Sequence, residues 1–474
     1  MAATKANSIV MTEGRPLPQI IRFSVPLALT GILQLLFNAA DLIVVGQFCG
    51  NNSVAAVGAT GALTGLLVNL FIGMSVGVGV SCTHALGAKN DEVLHKTIHT
   101  AVPTALISGL FIGVIGFAFS PGLLELMDTP EEVLGLSSLY MRIYFVGMPF
   151  TLLCNFGIAI LRAAGDNRSP LIYLTLSGAL NAVMNVIFVR VFSMDVAGVA
   201  LATTLSGALA TVLVMLTLMR RKDACRFRFS QMRIYKKPLL KIITIGLPAG
   251  IQSSLFAISN VLIQSSINSF GTEAMSGNTA SGNIEGFLST GLDSFTQTAM
   301  NFTGLCVGAR RYDRVPKILR TCLGCVVAIG LPLGALIYFN GRTLLGIYIT
   351  DSVEAINYGM QRMVFMAIPW VLGGCMNIAS GVLRGMGRSI QPMISTVLGV
   401  CVFRIFWIYT IFAVPELHTY PCLMLSYPVS WGLTFGVLMI SYVLVRRKEK
   451  QLQAVPLTEI RDAEEEAEDA PVVE

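Results

Sequence analysis

The amino-acid sequence predicts an all-α integral membrane protein, with about twelve transmembrane helices in two parallel six-helix bundles. Of its 474 residues, 54% are hydrophobic and only 13% are charged. A soluble chain of this length carries more charge than that. Long runs of the chain are almost free of charged residues, and the two halves repeat one pattern of residues.

Long uncharged runs define the predicted spans. Four such runs cover residues 42–88, 196–219, 242–272 and 417–445. A helix of about 20 apolar residues crosses the hydrocarbon core, so the first and third runs are too long for a single span. The predicted spans are 18–47, 54–82, 97–119, 136–161, 169–190, 196–219, 241–267, 277–306, 319–340, 356–383, 391–413 and 421–445.

The ten cysteines are interpreted as small buried hydrophobic residues. Most of them lie inside apolar runs, where a free thiol behaves as an apolar group. We therefore expect neither a disulfide framework nor a cysteine metal site. Residues 1–15 are polar and the first apolar run has full span length, which does not indicate a cleaved signal peptide.

The distribution of positive charge predicts the orientation in the membrane. Most of the 33 Lys and Arg residues lie in alternate connections on one side, including the basic stretch from Arg220 to Lys241. The opposite side carries Arg142, Arg190, Arg342 and Arg362. By the positive-inside rule both termini are cytoplasmic. The membrane itself is expected to be a bacterial inner (plasma) membrane. The net charge of +6 is then a topology signal and not a nucleic-acid footprint, and the basic stretch is expected to lie against anionic lipid headgroups.

The two halves of the chain match at an offset of about 222 residues. The matching pairs are Pro26/Pro248, Asn38/Asn260, Arg162/Arg384, Gly165/Gly387 and Pro170/Pro392. Six spans per copy is an even number, so the two copies have the same orientation, and the substrate path is expected between them. The predicted organisation is an N-terminal cytoplasmic segment 1–17, a lobe 18–219, a basic linker 220–240, a second lobe 241–447 and an acidic disordered tail 448–474.

Short motifs recur in a fixed order along the chain. They are Gln34-x-x-x-Asn38-x-x-Asp41, Val45-Gly46, Val54-Ala-Ala-Val-Gly58, Leu86-Gly-Ala-Lys89, Leu161-Arg-Ala-Ala-Gly165 before Pro170, Asn181-x-x-x-Asn185 and Ala197 to Thr204. Over roughly residues 12–447 this series resembles the multidrug and toxic compound extrusion (MATE) family of prokaryotic type. The resemblance implies a V-shaped pair of six-helix bundles. It also implies a functional monomer without a cofactor, which exports bulky, often cationic or amphipathic compounds in exchange for H⁺ or Na⁺.

Asp41 is the first candidate site residue. A carboxylate inside a membrane span is costly and marks a functional site by default, and loss of hydration favours its protonated form. The other interpretation is a carboxylate that only bonds to neighbouring Asn residues or faces a water-filled cleft. The resemblance implies an ion-coupling site at Asp41, with Asn181, Asn185 and Thr203 as partners and Na⁺ as the one metal expected. One branch of the family has a second Asp where this chain has Asn185.

The predicted spans of the second half also contain charged residues. Glu285 and Arg404 lie at equal predicted depth, so they either form a buried ion pair or face water separately. Asp293 could attract a cationic substrate, bind an ion or line a polar path, and with Asn260 these residues form a candidate polar site. The acids that another branch of the family carries in spans 7 and 10 are absent from this chain.

Prolines within the predicted spans indicate bends. Because proline removes a backbone hydrogen bond, helices are expected to be interrupted or kinked at Pro26, Pro103, Pro149, Pro248, Pro332 and Pro369. The other interpretation of these prolines is ordinary transmembrane packing. Pro26 and Pro248 are the hinge candidates, since they occupy equivalent positions in the repeat. Met11 and the residues after it resemble the usual start of the family, so residues 1–10 are expected to be dispensable.

Other functions remain open from the sequence. A lipid-linked oligosaccharide flippase of the same superfamily would share the helices and the cavity, although its cavity would be strongly cationic and only Arg404 suggests one. A membrane-embedded enzyme is disfavoured because no HExxH, G-x-S-x-G or paired-His motif is expected, and direct use of ATP is disfavoured by the absence of a Walker A motif. The expected partners are a small-molecule substrate and membrane lipids.

Overall fold

The computed structural model describes residues 13–49, 51–125, 129–350 and 352–453. Helices make up nearly all of these ranges, and the ranges contain no strand. The predicted all-α class is therefore confirmed.

The first half of the chain forms seven α-helices. They are α1 (Pro16–Phe48), α2 (Asn51–Gly87), α3 (Asp91–Glu125), α4 (Glu131–Val146), α5 (Met148–Ala163), α6 (Arg168–Val186) and α7 (Asp195–Arg220). A π-helical segment, Ile187–Val191, extends α6. The helices run several residues beyond the predicted spans, because a helix does not have to end where the hydrocarbon core ends.

The second half repeats this order with more interruptions. Its helices are α8 (Lys236–Asn268), α9 (Thr272–Gly308), α10 (Val315–Phe339), α11 (Gly341–Tyr348), α12 (Val353–Met366), α13 (Trp370–Gly385), α14 (Ile390–Thr396), α15 (Phe403–Tyr409) and α16 (Tyr420–Gln453). A π-helical segment, Val397–Val402, joins α14 to α15. The short helix α11 was not predicted.

Nine helices in the described ranges are long and apolar enough to cross a membrane, or eleven if each of two bent pairs counts as one span. The predicted span 277–306 corresponds to α9, which is 37 residues long but is not among them. Polar side chains, Glu285 and Asp293 among them, lower its hydropathy. The helix that hydropathy favours least therefore carries two of the candidate site residues.

The two bent pairs occur at equivalent places in the two halves. Helices α4 and α5 meet at 46° and helices α12 and α13 meet at 45°. Pro149 lies in the first turn of α5 and Pro369 directly precedes α13, so the prediction is confirmed at these two prolines. Pro103 and Pro332 lie inside α3 and α10, and neither helix is interrupted there. Pro26 and Pro248 also lie inside unbroken helices, α1 and α8, and their role as hinges stays a prediction.

The internal repeat is visible in the backbone. Lys89 and Arg310 have φ angles of 52° and 55°, and Gly165 and Gly387 have φ angles of 83° and 79°. Positive φ is uncommon for residues other than glycine. Its recurrence at equivalent positions means that both halves leave their helices by the same turns.

The halves approach each other closely along α2, which packs against α8 and α9. A Cβ atom on Gly87 would overlap the carbonyl oxygen of Leu305 in α9, and one on Gly308 would overlap the carbonyl oxygen of His84 in α2. These two glycines stand at equivalent repeat positions, so the contact is nearly symmetric. Only glycine permits backbones to approach this closely.

The basic linker is packed onto the first half. Cys225 and Phe227 are buried in the core of that half. The backbone N–H of Arg228 donates to Nε2 of His99 at 3.1 Å, and the backbone N–H of Tyr235 donates to Oγ1 of Thr100 at 3.1 Å. The linker is thus anchored on α3, while contact of its exposed cations with lipid headgroups stays a prediction.

One predicted boundary, the start of the disordered tail at residue 448, differs from the structure. Helix α16 continues to Gln453, so residues 448–453 of the predicted disordered tail are helical. Residues 454–474, like residues 1–12 with Met11, lie outside the described residues.

All ten cysteines are free thiols, and eight of them are buried. One Cys-x-x-Cys spacing does occur, at Cys322 and Cys325 on α10, and both thiols are buried. No group of three or more His, Cys, Asp and Glu residues within the described ranges could hold a metal ion. The Cys-x-x-Cys pair is therefore part of the helix packing.

Candidate ion-coupling and substrate site

A cavity of about 590 Å³ lies between α1, α5, α6 and α7, with Thr290 of α9 on its border. This volume suits a drug-sized molecule. Its main polar lining residues are Gln34, Asn38, Asp41, Asn155, Arg162 and Asn181.

Asp41 is held at the wall of this cavity by two amides from α6. Nδ2 of Asn185 donates to Oδ1 of Asp41 at 2.5 Å. The amide of Asn181 satisfies its hydrogen bonding when its nitrogen faces Asp41, at 2.7 Å from Oδ1 and 3.2 Å from Oδ2. Asn181 and Asn185 are four residues apart, so both side chains lie on one face of α6. The half-buried carboxylate therefore has two donors on one side and the cavity on the other.

Thr203 completes this group from α7. Its backbone N–H donates to the Asn181 side-chain oxygen at 3.2 Å, and its hydroxyl donates to the Val199 carbonyl oxygen at 3.0 Å. Oδ1 of Asn185 is buried without a hydrogen-bond partner. The structure thus brings together all four residues that the sequence proposed for ion coupling.

Glu285 forms a buried ion pair, but its partner is Arg362. Oε2 of Glu285 lies 3.0 Å from Nη2 and 3.1 Å from Nε of Arg362, and the Ser281 hydroxyl donates to Oε1 at 2.9 Å. Nη1 of Arg362 also donates to Oδ1 of Asn278 at 2.5 Å. The predicted pairing of Glu285 with Arg404 is wrong, because α12 packs directly against α9 and provides a closer guanidinium.

Arg404 is buried against aromatic rings. Its guanidinium carbon lies 4.0 Å from the ring centre of Tyr427 and 5.7 Å from that of Trp431. Its Nε donates to Oγ of Ser430 at 3.0 Å, and its Nη2 is buried without a partner. Neither interpretation from the sequence holds for this residue, since Arg404 neither pairs with Glu285 nor faces water.

Asp293 and Asn260, the remaining candidates of the second half, lie apart from Glu285 and Arg404. Asp293 borders a smaller cavity of about 140 Å³ that adjoins the main one, and Nδ2 of Asn377 donates to its Oδ1 at 3.0 Å. Asn260 is exposed on α8 and makes no side-chain hydrogen bond within the described residues. The structure therefore does not bring together the four residues of the candidate polar site in the second half.

The expectation that the sequence contains no G-x-S-x-G motif is wrong. Residues Gly73 to Gly77 read G-x-S-x-G, which in hydrolases places a nucleophilic serine on a sharp turn between a strand and a helix. Here the motif lies inside α2, where the Ser75 hydroxyl donates to the Ile72 carbonyl oxygen at 2.7 Å. Both glycines contact α8, so the motif serves helix packing.

A family model matches this chain twice, once in each half. The family model MatE matches residues 26–187 and matches a second time at residues 248–410. The chain belongs to the MATE family. The second match begins 222 residues after the first, which is the offset between the paired prolines and arginines.

Two relatives of the chain are named as multidrug proteins. The chain is 26% identical to the probable multidrug resistance protein YoeA of Bacillus subtilis, over 82% of this chain and 87% of the relative. It is 22% identical to the multidrug export protein MepA of Staphylococcus saprophyticus, over 82% of this chain and 86% of the relative. The chain is thus a multi-pass membrane transporter of the multidrug efflux family, and not an enzyme.

Solved MATE structures share the fold. A MATE transporter crystallised in complex with MaL6 has a TM-score of 0.88 and 20% identity, over 94% of this chain and 99% of that chain. An outward-facing multidrug resistance MATE transporter of the MOP superfamily gives the same values. The predicted bundle architecture of the MATE fold is confirmed.

Two arginines beside the candidate sites are not among the predicted site residues. The charge distribution assigns Arg362 to an outward connection, although it lies inside α12, and the sequence singles out Arg162 only through the repeat and the Leu161 to Gly165 motif. Arg162 borders the main cavity and both smaller described cavities. The position of Arg362 inside the predicted span 356–383 is the sequence signal that identifies it as a buried charge. For Arg162, the signal is its match with Arg384 in the repeat.

Proposed function

We propose that this transporter exports small amphipathic, often cationic molecules in exchange for H⁺ or Na⁺, with Asp41 as the coupling carboxylate. The observation that carries the proposal is the position of Asp41, which borders a drug-sized cavity while two amides of α6 hold its carboxylate. A charged group within a span is costly, and here one face of it is accessible from the cavity.

Binding of H⁺ or Na⁺ at Asp41 changes the strength of the hydrogen bonds that link α1 to α6. An ionised carboxylate accepts the amide hydrogen bonds of Asn185 and Asn181 with charge assistance, which makes them roughly twice as strong as neutral ones. Protonation removes that assistance and weakens the link between the two helices. An ion that binds one arrangement of α1 better than another shifts the equilibrium between them, as exchange requires.

The same residues offer oxygens to a sodium ion. Hard cations prefer carboxylate and amide oxygens, and Oδ1 of Asn185 is a buried acceptor that no described group uses. Asp41 and Asn185 would supply oxygens, while Asn181 and Thr203 would supply oxygens or hydrogen bonds around them. One branch of the family has a second Asp where this chain has Asn185. The site here therefore carries one negative charge, which a single H⁺ or Na⁺ neutralises.

In an alternating-access cycle one side of the transporter is closed while the other is open. We expect the closed side of this state at the C-terminal ends of α2 and α9. Close glycine contacts support this, as does the hydrogen bond between Nε2 of His84 and the carbonyl oxygen of Gly385 at 2.8 Å. By the positive-inside rule this side is cytoplasmic. The cavity at Asp41 then opens outward, where substrate leaves and the coupling ion enters.

Proteoliposomes with separately imposed pH and Na⁺ gradients test this proposal. Wild-type protein is expected to drive uphill transport of ethidium under at least one gradient, and Asp41→Asn is expected to abolish the response while the protein still folds. Asp313→Asn, which changes an exposed aspartate away from the cavity, is the matched control. Wild-type uphill transport by Asp41→Asn would place the coupling site elsewhere, at Glu285 or Asp293.

A further inference from the structure

We propose that Arg162 is a binding site for the anionic group of a zwitterionic substrate, whose cationic group lies toward Asp41. The inference rests on the proposed export function and specifies its substrate class. Arg162 lies in the last turn of α5, where the main cavity and two smaller cavities of about 140 Å³ each meet. A ligand in any of these three spaces reaches its guanidinium.

The Arg162 guanidinium has no protein partner within the described residues. Its Nε is buried without a hydrogen bond, and no acidic residue of the described chain lies within ion-pair distance. An unpaired guanidinium inside a membrane bundle is costly and marks a functional site by default. Its planar array of donors matches a carboxylate in a bidentate geometry.

The repeat explains why Arg162 is unpartnered. Its counterpart in the second half is Arg384, whose Nη2 donates to Oε1 of Gln252 at 2.7 Å. The residue equivalent to Gln252 in the first half is Thr30. Its short side chain donates instead to the carbonyl oxygen of Pro26 at 2.7 Å. The first half thus lacks the glutamine that holds the arginine in the second half.

The charges of the cavity lining favour a zwitterion over a simple cation. Asp41 and Arg162 are the charged residues among those that line the main cavity. Asp293 borders the smaller cavity together with Arg162, but its carboxylate accepts a hydrogen bond from Asn377 and forms no ion pair with the arginine. A purely cationic ligand would leave the guanidinium uncompensated, so a zwitterion is expected to bind more tightly than a cation of the same shape.

The spacing of the two charges suits a drug-sized molecule. Gln34 borders the main cavity and one smaller cavity beside Arg162, and it precedes Asp41 by seven positions in α1. Seven residues of α-helix span about 10 Å. A substrate with a carboxylate and an amine roughly this far apart contacts both charges within a cavity of about 590 Å³.

A matched pair of fluorescent dyes tests the proposal without any ion gradient. Rhodamine 110 is a zwitterion with a free carboxylate, and rhodamine 123 is its cationic methyl ester. Binding of each dye to the purified protein is measured by fluorescence anisotropy, for wild type, Arg162→Gln, Arg162→Lys, Asp293→Asn and, as a control, Arg142→Gln. Arg142 is an exposed arginine away from the cavity.

We expect Arg162→Gln to weaken rhodamine 110 binding roughly tenfold or more, because charge-assisted hydrogen bonds are lost. Rhodamine 123 binding should hold or improve, and Arg162→Lys should recover part of the loss. Equal weakening of both dyes by Arg162→Gln would overturn the proposal, because it would make the residue structural. A matching loss in Asp293→Asn would also overturn it, since Arg162 would then act through that carboxylate.

The two proposals fail separately. Suppose that Arg162→Gln weakens binding of rhodamine 110 but not of its ester rhodamine 123, while the wild type shows no gradient-driven transport. The exchange function would then be rejected and the anion site would be kept. Gradient-driven transport with no difference between the two dyes in any variant would keep the exchange function and remove the anion site.

Discussion

Glu285 of α9 and Arg362 of α12 form a buried ion pair, with Oε2 of the glutamate 3.0 Å from Nη2 of the arginine. Glu285 is 1% exposed. The pair links the long polar helix of the second half to the first segment of a bent helix pair. Ser281 and Asn278 satisfy further atoms of the two side chains, so the pair is part of a connected network.

Removal of one partner should destabilise the protein more than removal of both. Glu285→Gln leaves a buried guanidinium uncompensated, which costs about 3–5 kcal/mol, whereas loss of both charges is milder. We expect the Glu285→Gln and Arg362→Gln single variants to unfold at lower temperature in detergent than the double variant. The control is Arg342→Gln, which changes an exposed arginine. Additive effects of the two single changes would contradict the coupling.

The Gly87 and Gly308 contact should tolerate no side chain. A methyl group at either position would meet a backbone carbonyl of the opposite helix, and such overpacking costs about 1–3 kcal/mol. We expect Gly87→Ala and Gly308→Ala to separate α2 from α9 and to raise the alkylation rate of the buried thiols Cys82 and Cys306, as measured by mass spectrometry.

The matched control for this experiment is Gly432→Ala in α16, where a Cβ atom has open space around it. Its thiols should react at the wild-type rate. Unchanged protection of Cys82 and Cys306 in both variants at the contact would show that α2 and α9 adjust without separation.

The amide of Asn185 should support coupling only through Asp41. Asn185→Ala removes the donor at 2.5 Å from the carboxylate, and hydrogen bonds to charged groups contribute about 1.5–3 kcal/mol. We expect gradient-driven dye transport to fall roughly tenfold. In an Asp41→Asn background the same change should have little further effect. Asn260→Ala, at an exposed position on α8, should leave transport unchanged, and an equal loss in that variant would contradict a specific role for Asn185.

The orientation should be measurable by labelling from outside the cell. Ser230→Cys lies at an exposed position of the linker, and Glu416→Cys lies at an exposed position before α16. In a background with Cys49 and Cys422 changed to Ser, a membrane-impermeant maleimide should label only residue 416 in intact cells. Both positions should react after the membrane is broken. Labelling of residue 230 in intact cells would reverse the predicted topology.

The sequence by itself determined the class of fold and the position of one carboxylate. Hydropathy and charge are properties of short segments, so uncharged runs give the spans, and the 222-residue offset gives the repeat, without knowledge of packing. The spacing of Asn181 and Asn185 places both amides on one face of α6 for the same reason. Helical periodicity is local, and it survives whatever the neighbouring helices do.

Only the tertiary structure decided which charges meet. Depth along a helix can be read from sequence, but the direction in which a side chain points, and the helix it faces, depend on how the bundle packs. Glu285 therefore pairs with Arg362 because α12 adjoins α9, while Arg404, at a similar predicted depth, stacks on Tyr427. Arg162 and its repeat equivalent Arg384 differ for a similar reason, since Gln252 accepts a hydrogen bond from Arg384 whereas Thr30 bonds to its own helix. Within the described residues the Arg162 guanidinium has no hydrogen-bond partner.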